Sequence, residues 1–164
     1  MPKISAPSVS LLDLYTGEER LPLYKTNVVV SGGQANHGRA SGHAVSDDGE
    51  LDLPLRLPAA LGGPGEATNP EQLFAAGFAA CFHGALSLVA AKQKIRLDKD
   101  LSITSEVTFG RDPSDGQFYL SAELKVHIPN MDKEKALELI RQTELVCPYA
   151  KMARQGLEYS TTLE

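Results

Sequence analysis

Cysteine is scarce in this chain, with two residues in 164, Cys81 and Cys147. Their settings argue for thiol chemistry rather than a structural staple. Histidine is scarce too: the four residues are scattered and, with two cysteines, give no zinc-ligand spacing. Cys81 and His83 cannot form a metal site alone, because helix positions two apart point apart. Positive charge is in deficit: the net charge of −5 argues against non-specific nucleic-acid binding. The opening residues lack the charged-then-apolar layout of a signal peptide. The most apolar stretch is amphipathic and interrupted by Gly77, His83 and Gly84, which makes a poor membrane span. A cytoplasmic protein without a membrane partner is therefore expected. Paired thiols there are more often catalytic, redox-sensing or metal-binding than structural. Nucleotide chemistry is not signalled, because Gly62-Gly63-Pro64-Gly65 lacks the lysine and spacing of a P-loop. Ser/His/Asp hydrolase patterns, repeats and low-complexity segments are also missing.

What is present reads as a soluble globular protein, 42% hydrophobic and 23% charged. Its length fits one domain, or two small halves sharing one core. Residues 1–22 read as a polar N-terminal extension and 23–164 as a single domain. Residues 23–30 form a candidate strand, 34–38 a loop, and 39–45 a second strand closed by the turn Ser46-Asp47-Asp48-Gly49. Residues 51–57 alternate apolar and polar, with Pro54 marking an edge strand. A long helix then starts at Asn69 as cap, with Pro70 at its first position and Gln72 placed for a capping box. It runs to about Lys94. Leu73, Phe74, Gly77, Ala80, Cys81, Gly84, Ala85 and Leu88 fall on one face, expected to be buried. Residues 101–109 and 117–128 read as a hairpin. Residues 133–146 read as an amphipathic helix with Ala136, Leu137, Ile140 and Leu145 inward. A short helix follows Cys147, and 157–163 read as a last strand. This order of strands and helices is α+β.

Cys81 sits in the long helix. Among apolar neighbours it is either a small core residue or, given a cation, a nucleophile. Arginine would serve best, because its planar fork can hold a thiolate and a carboxylate together. Cys147 precedes Pro148 and so falls at or near the N-cap of the short helix. There the thiol is either a simple cap or a thiolate stabilised by backbone N–H groups and the helix dipole. Glu71 is a first-turn acid. Cys81 lies ten residues beyond it, roughly 15 Å along a regular helix. The two can share a site only if the helix breaks or a second subunit supplies Glu71. The histidines His37, His43, His83 and His127 show no readable partners and are taken as structural or surface residues.

The run from Thr68 to Phe82, Thr-Asn-Pro-Glu-Gln-Leu-Phe-Ala-Ala-Gly-Phe-Ala-Ala-Cys-Phe, closely resembles the organic hydroperoxide resistance family of the OsmC/Ohr superfamily. Cys147-Pro148-Tyr149, Leu61-Gly62-Gly63-Pro64-Gly65 and Ser46-Asp47-Asp48-Gly49 resemble it too. The likeness spans about residues 23 to 162. It implies an α+β intertwined homodimer, with long helices packed between sheets and two sites at the subunit interface. It also implies a thiol peroxidase, with Cys81 peroxidatic and Cys147 resolving. Organic hydroperoxides are reduced, and a dithiol, a lipoylated protein rather than thioredoxin, restores the thiols. No metal, flavin or haem is called for. Arg39, following Gly38, and Glu71 match the family's arginine and glutamate. Leu61, Phe74, Phe78, Phe82 and Met152 are expected to line an apolar approach to Cys81. A non-catalytic redox sensor or small-ligand binder on the same fold is the rival reading.

Three departures from the family pattern stand out. Gly32-Gly33 is followed by Gln34 where arginine is common, so Gln34 competes with Arg39 for that place. Glu144 stands where the family often has histidine, three residues before the resolving cysteine. Ala150 replaces the usual serine after Cys-Pro-Tyr.

Overall fold

The chain is described by a computed structural model covering Ser5, residues 7–34 and residues 37–163. Residues 1–4 and 6 of the extension, Ala35 and Asn36 of the expected loop, and Glu164 lie outside the described residues. Helices and sheets are mixed, giving the expected α+β class. The chain divides into two compact units. One comprises Met1–Tyr15, Ala76–Glu106 and Ser121–Glu164; the other comprises Thr16–Ala75 and Val107–Leu120.

The second unit is built on a three-stranded antiparallel sheet in the order β1-β2-β3. Its strands are Val28–Ser31, His43–Ser46 and Asp52–Pro54. Val29 pairs with Val45, and Ala44 with Leu53. β2 alternates as a half-buried strand should, with Ala44 and Ser46 inside and His43 and Val45 outside. β3 is an edge strand, which is where a proline can sit without breaking a ladder.

Between β1 and β2 the chain departs from the strand expected over 39–45. Gly38–Ser41 forms a single helical turn, α1, and β2 begins only at His43. Local hydrogen bonds prevail over the alternating pattern. The His37 ring Nδ1 accepts from the Ala40 N–H at 3.2 Å, and the Gly42 N–H closes on Gly38 O at 2.8 Å. A side chain at position 42 would meet that same carbonyl at 2.5 Å, so the closure requires glycine.

Helix α2 runs unbroken over Pro70–Lys92. Asn69 caps it: its side-chain oxygen accepts from Gln72 N–H at 3.0 Å. Gln72 does not complete the expected capping box, because its side chain takes the Thr68 hydroxyl instead. The buried residues are Phe78, Phe82, Ala85, Leu86, Val89 and Ala90, while Ala80 and Gly84 are exposed and Cys81 is half-buried. The expected face is thus rotated. This helix is apolar nearly all round, so the side chains with most area to bury decide its orientation, and Ala80 and Gly84 are left outside. By length and hydropathy alone α2 could cross a bilayer. Its large residues instead belong to a protein core.

In the first unit, Leu86 and Val89 of α2 pack with Leu139, and Leu12, Ile103 and Val126 close around them. The extension contributes here: Val9–Leu12 forms a 3-10 turn, and Asp13 pairs with Lys92 at 2.9 Å. Helix α3 spans Lys133–Val146 as expected, capped by Asp132. Its buried residues are Leu139 and Thr143, whereas Leu137 and Leu145 are exposed. Thr143 can take the inner stripe because its hydroxyl donates to Leu139 O at 2.7 Å. Helix α4 spans Pro148–Gln155. Beyond Gly156 the expected strand 157–163 is irregular chain. No ladder partner reaches it among the described residues, and a strand needs one. β4, Ser102–Arg111, and β5, Phe118–His127, form the expected hairpin.

Candidate active site

The two cysteines, sixty-six positions apart, meet in the first unit. Cys147 Sγ lies 3.5 Å from Cys81 Sγ, and both are free thiols. Cys81 comes from the middle of α2. Cys147 is at once the C-cap of α3 and the N-cap of α4, and is fully buried. Pro148 occupies the first turn of α4 and has no N–H to offer. The next N–H, that of Tyr149, hydrogen-bonds to Cys81. The start of α4 therefore serves the partner thiol, not Cys147, whose side chain makes no cap hydrogen bond. Burial pushes the Cys81 thiol above its ordinary range; the Tyr149 N–H opposes this, and the neighbouring Cys147 adds to the rise. Within this unit, then, the thiols are placed for a disulfide but Cys81 is not made acidic.

The second unit holds a cation and an anion together. Arg39 Nη2 donates to Glu71 Oε1 at 2.7 Å, with the two side chains 31% and 15% exposed. The Arg39 guanidinium also lies over the Phe109 ring, 4.9 Å from its centroid. Phe109 stacks on Phe118 at 4.9 Å and 20°, and Arg111 covers the far face of that pair at 3.9 Å. Arg39 is thus clamped between a carboxylate and an aromatic stack. Gln34 makes no such arrangement: its backbone N–H goes to Ser41 Oγ at 2.7 Å. Of the two rivals, it is Arg39 that meets Glu71.

Comparison with known proteins gives these pairs a context. Residues 63–162 match the OsmC-like protein family. An organic hydroperoxide resistance protein of Xanthomonas axonopodis pv. citri (strain 306) is 42% identical over 142 residues, covering 86% of this chain and 94% of that protein. The chain belongs to the organic hydroperoxide resistance family.

Solved structures of the family agree with the fold. The crystal structure of OhrB of Bacillus subtilis superposes with a TM-score of 0.70 at 44% identity, covering 82% of this chain and 93% of that one. That of an organic hydroperoxide resistance protein from Legionella pneumophila gives 0.73 at 44% identity, over 83% and 93%.

The residues expected to line the apolar approach are distributed over both units. Phe78 and Phe82 are buried in the first, with Met152 partly so. In the second, Leu61 ends the 3-10 turn Ala59–Leu61 and is 44% exposed, and Phe74 is partly buried. The two departures near Cys147 differ in kind. Ala150 is buried, whereas Glu144 is exposed and uses its carbonyl to accept from Arg154 at 2.6 Å. Among the described residues no group of three or more His, Cys, Asp or Glu side chains gathers around a metal position. His37 caps α1 and His43 pairs with Asp52 across the sheet, a partner that only strand register reveals.

Sequence reasoning missed Phe109, Phe118 and Arg111, and it missed the role of Gly77. Phe109 is seventy positions from Arg39, and an aromatic in a strand carries no local sign of what it faces. Gly77 was read only as a small residue on a buried face. Its Cα faces the Tyr149 ring, and a Cβ there would stand 3.1 Å from the Tyr149 hydroxyl oxygen.

Proposed function

We propose that the chain is a cytoplasmic, cysteine-based peroxidase that reduces organic hydroperoxides (alkyl, aryl or fatty-acid) to alcohols. The observation that carries this reading is the 3.5 Å separation of the Cys81 and Cys147 sulfurs. The shared name of its relatives supports a role in peroxide resistance. In the proposed cycle the Cys81 thiolate attacks the distal peroxide oxygen. The O–O bond breaks, the alkoxide takes a proton and leaves as alcohol, and Cys81 becomes a sulfenic acid. The Cys147 thiol then attacks that sulfur, water leaves, and a disulfide forms. A dithiol, proposed to be a lipoylated protein, exchanges twice with the disulfide, returning both thiols and becoming oxidised itself. The electrons pass through sulfur alone, so the cycle uses no metal, flavin or haem. Dihydrolipoamide should sustain turnover with cumene hydroperoxide where thioredoxin does not. A single oxidation without turnover under either reductant would leave a sensor, not an enzyme.

Arg39 and Glu71 are assigned to the same chemistry, Arg39 holding the thiolate and orienting peroxide together with Glu71. Glu71 and Cys81 are roughly 15 Å apart along one regular helix, and α2 has no break between them. We therefore assign the ion pair at each Cys81 to a second copy of the chain, in a homodimer formed by the domain 23–164. Cys81→Ser and Glu71→Ala proteins, each inactive alone, should regain activity when unfolded and refolded together. Full activity in a monomeric species in solution would rule out the shared site.

Leu61, Phe74, Phe78, Phe82 and Met152 are proposed to form the apolar side of the site. Burying an alkyl or aryl group yields about 0.8 kcal/mol per methylene, so three such groups are worth roughly 60-fold if held in the transition state. Catalytic efficiency should climb from hydrogen peroxide through tert-butyl to cumene hydroperoxide by at least about that factor. Equal efficiencies at the two ends would defeat the apolar site while leaving the cysteine cycle standing.

A further inference from the structure

Tyr149 and Gly77 fit together in a way that bears on the second half of the cycle. Tyr149 follows Cys147 by two residues, at the start of α4, and Gly77 precedes Cys81 by one helical turn in α2. The Tyr149 ring lies over the bare Cα of Gly77, and it is tilted against Phe78 with ring centroids 5.9 Å apart at 50°. A Cβ at position 77 would stand 3.1, 3.3 and 3.5 Å from the hydroxyl oxygen, Cε2 and Cζ of that ring. The first two distances are shorter than ordinary carbon contacts. The ring therefore rests in a notch at Gly77 that a methyl group would narrow, pushing the ring by a few tenths of an ångström.

We infer that the Gly77 notch is the positioning device for disulfide closure: it seats Tyr149 so that Cys147 reaches Cys81. This rests on the proposed peroxidase cycle. The sulfurs are 3.5 Å apart, at the outer limit of a near-attack distance, and a disulfide needs them at ~2.05 Å. Closure already requires about 1.5 Å of approach, so a few tenths of an ångström lost at Tyr149 is felt directly at Cys147. The first half of the cycle depends on Tyr149 only through its backbone N–H to Cys81, which a shift of a few tenths of an ångström in the ring weakens little, and α2 carries the thiol itself. A filled notch therefore separates the two steps. The sulfenic acid forms as before, and the condensation of Cys147 with Cys81–SOH, which releases water, slows. A second peroxide then competes for the waiting sulfenic acid and oxidises it to sulfinic acid.

The test is Gly77→Ala, studied by rapid quench with cumene hydroperoxide, thiol alkylation and intact mass. Consumption of the first equivalent should stay within about twofold of wild type. Disulfide formation should slow tenfold or more, and the sulfinic product per turnover should rise by a similar factor. Tyr149→Phe removes the atom nearest the new methyl, so Gly77→Ala/Tyr149→Phe should close within about threefold of Tyr149→Phe alone. Tyr149→Ala empties the notch instead of filling it and should show the same slow closure, which keeps the test valid if Gly77→Ala folds poorly. Closure at the wild-type rate in Gly77→Ala or in Tyr149→Ala overturns the inference. So does an equal slowing of both steps, which would mark general damage to helix packing. A wild-type protein that consumes no peroxide would instead sink the peroxidase reading itself.

Discussion

Cys81→Ser is expected to consume no organic hydroperoxide, whereas Cys147→Ser consumes about one equivalent and then dies by over-oxidation. The asymmetry follows from chemistry and position. Cys81 is half-buried on α2, so it can meet a substrate, and the Tyr149 N–H opposes the rise that burial imposes on its thiol. Cys147 is wholly enclosed at the α3–α4 corner, with no exposed surface for a peroxide to strike. Its sulfur faces the other sulfur, not solvent. Without Cys81 there is no accessible nucleophile. Without Cys147 the sulfenic acid has no thiol to condense with and remains open to a second peroxide. Intact mass after one equivalent of cumene hydroperoxide should show a loss of two hydrogens in wild type. Cys147→Ser should gain one oxygen, then two. Peroxide consumed by wild type with both thiols still free would refute the scheme, as would substantial turnover by Cys81→Ser.

Which parts of this were legible in the sequence follows from the range of the interactions. Asn69 with Pro70, and Cys147 with Pro148, mark helix starts through neighbours within three residues, and both starts lie where expected. The family motif around Cys81 pointed to the two thiols that lie 3.5 Å apart, and α3 kept its expected bounds. Burial was harder. Helices α2 and α3 each turned a different stripe inward, because a stripe is chosen by what packs against it. Phe82, Leu86, Leu139 and Thr143 form the inner stripes in place of Gly84, Leu137 and Leu145. The turn at Gly38–Ser41 defeated an alternation argument because four short-range hydrogen bonds, invisible to periodicity, close it. The irregular course of 157–163 has the opposite cause. Its pattern suits a strand, but strands are made by partners and none is present among the described residues. Least legible was the aromatic clamp on Arg39, where four residues on three elements must converge.

That clamp sets the second large effect. Arg39→Ala should slow the reaction of Cys81 with peroxide by about 10²–10³-fold, the usual cost of removing one preorganised charge or donor from a reacting centre. Gln34→Ala should be close to wild type, since Gln34 engages Ser41 through its backbone and meets no carboxylate among the described residues. Arg39→Lys keeps the charge but loses the planar fork that reaches Glu71 and sits over Phe109, so it should recover only part of the rate. Phe109→Leu should give a smaller loss, about tenfold, because the cation remains but its stacking partner is gone. The pH dependence identifies the cause. Burial and Cys147 raise the Cys81 thiol, and a raised thiol yields its reactive thiolate only at higher pH. The proposed pairing with Arg39 would favour the thiolate, so the rate should level off below the ordinary cysteine range. Without it, the rate should keep climbing through and above that range, so that the deficit narrows as pH rises. A wild-type profile that itself climbs above the ordinary cysteine range would show that no cation serves Cys81. A crippled Gln34→Ala protein beside an active Arg39→Ala protein would move the arginine's place to Gln34 and leave the thiolate without its assigned partner.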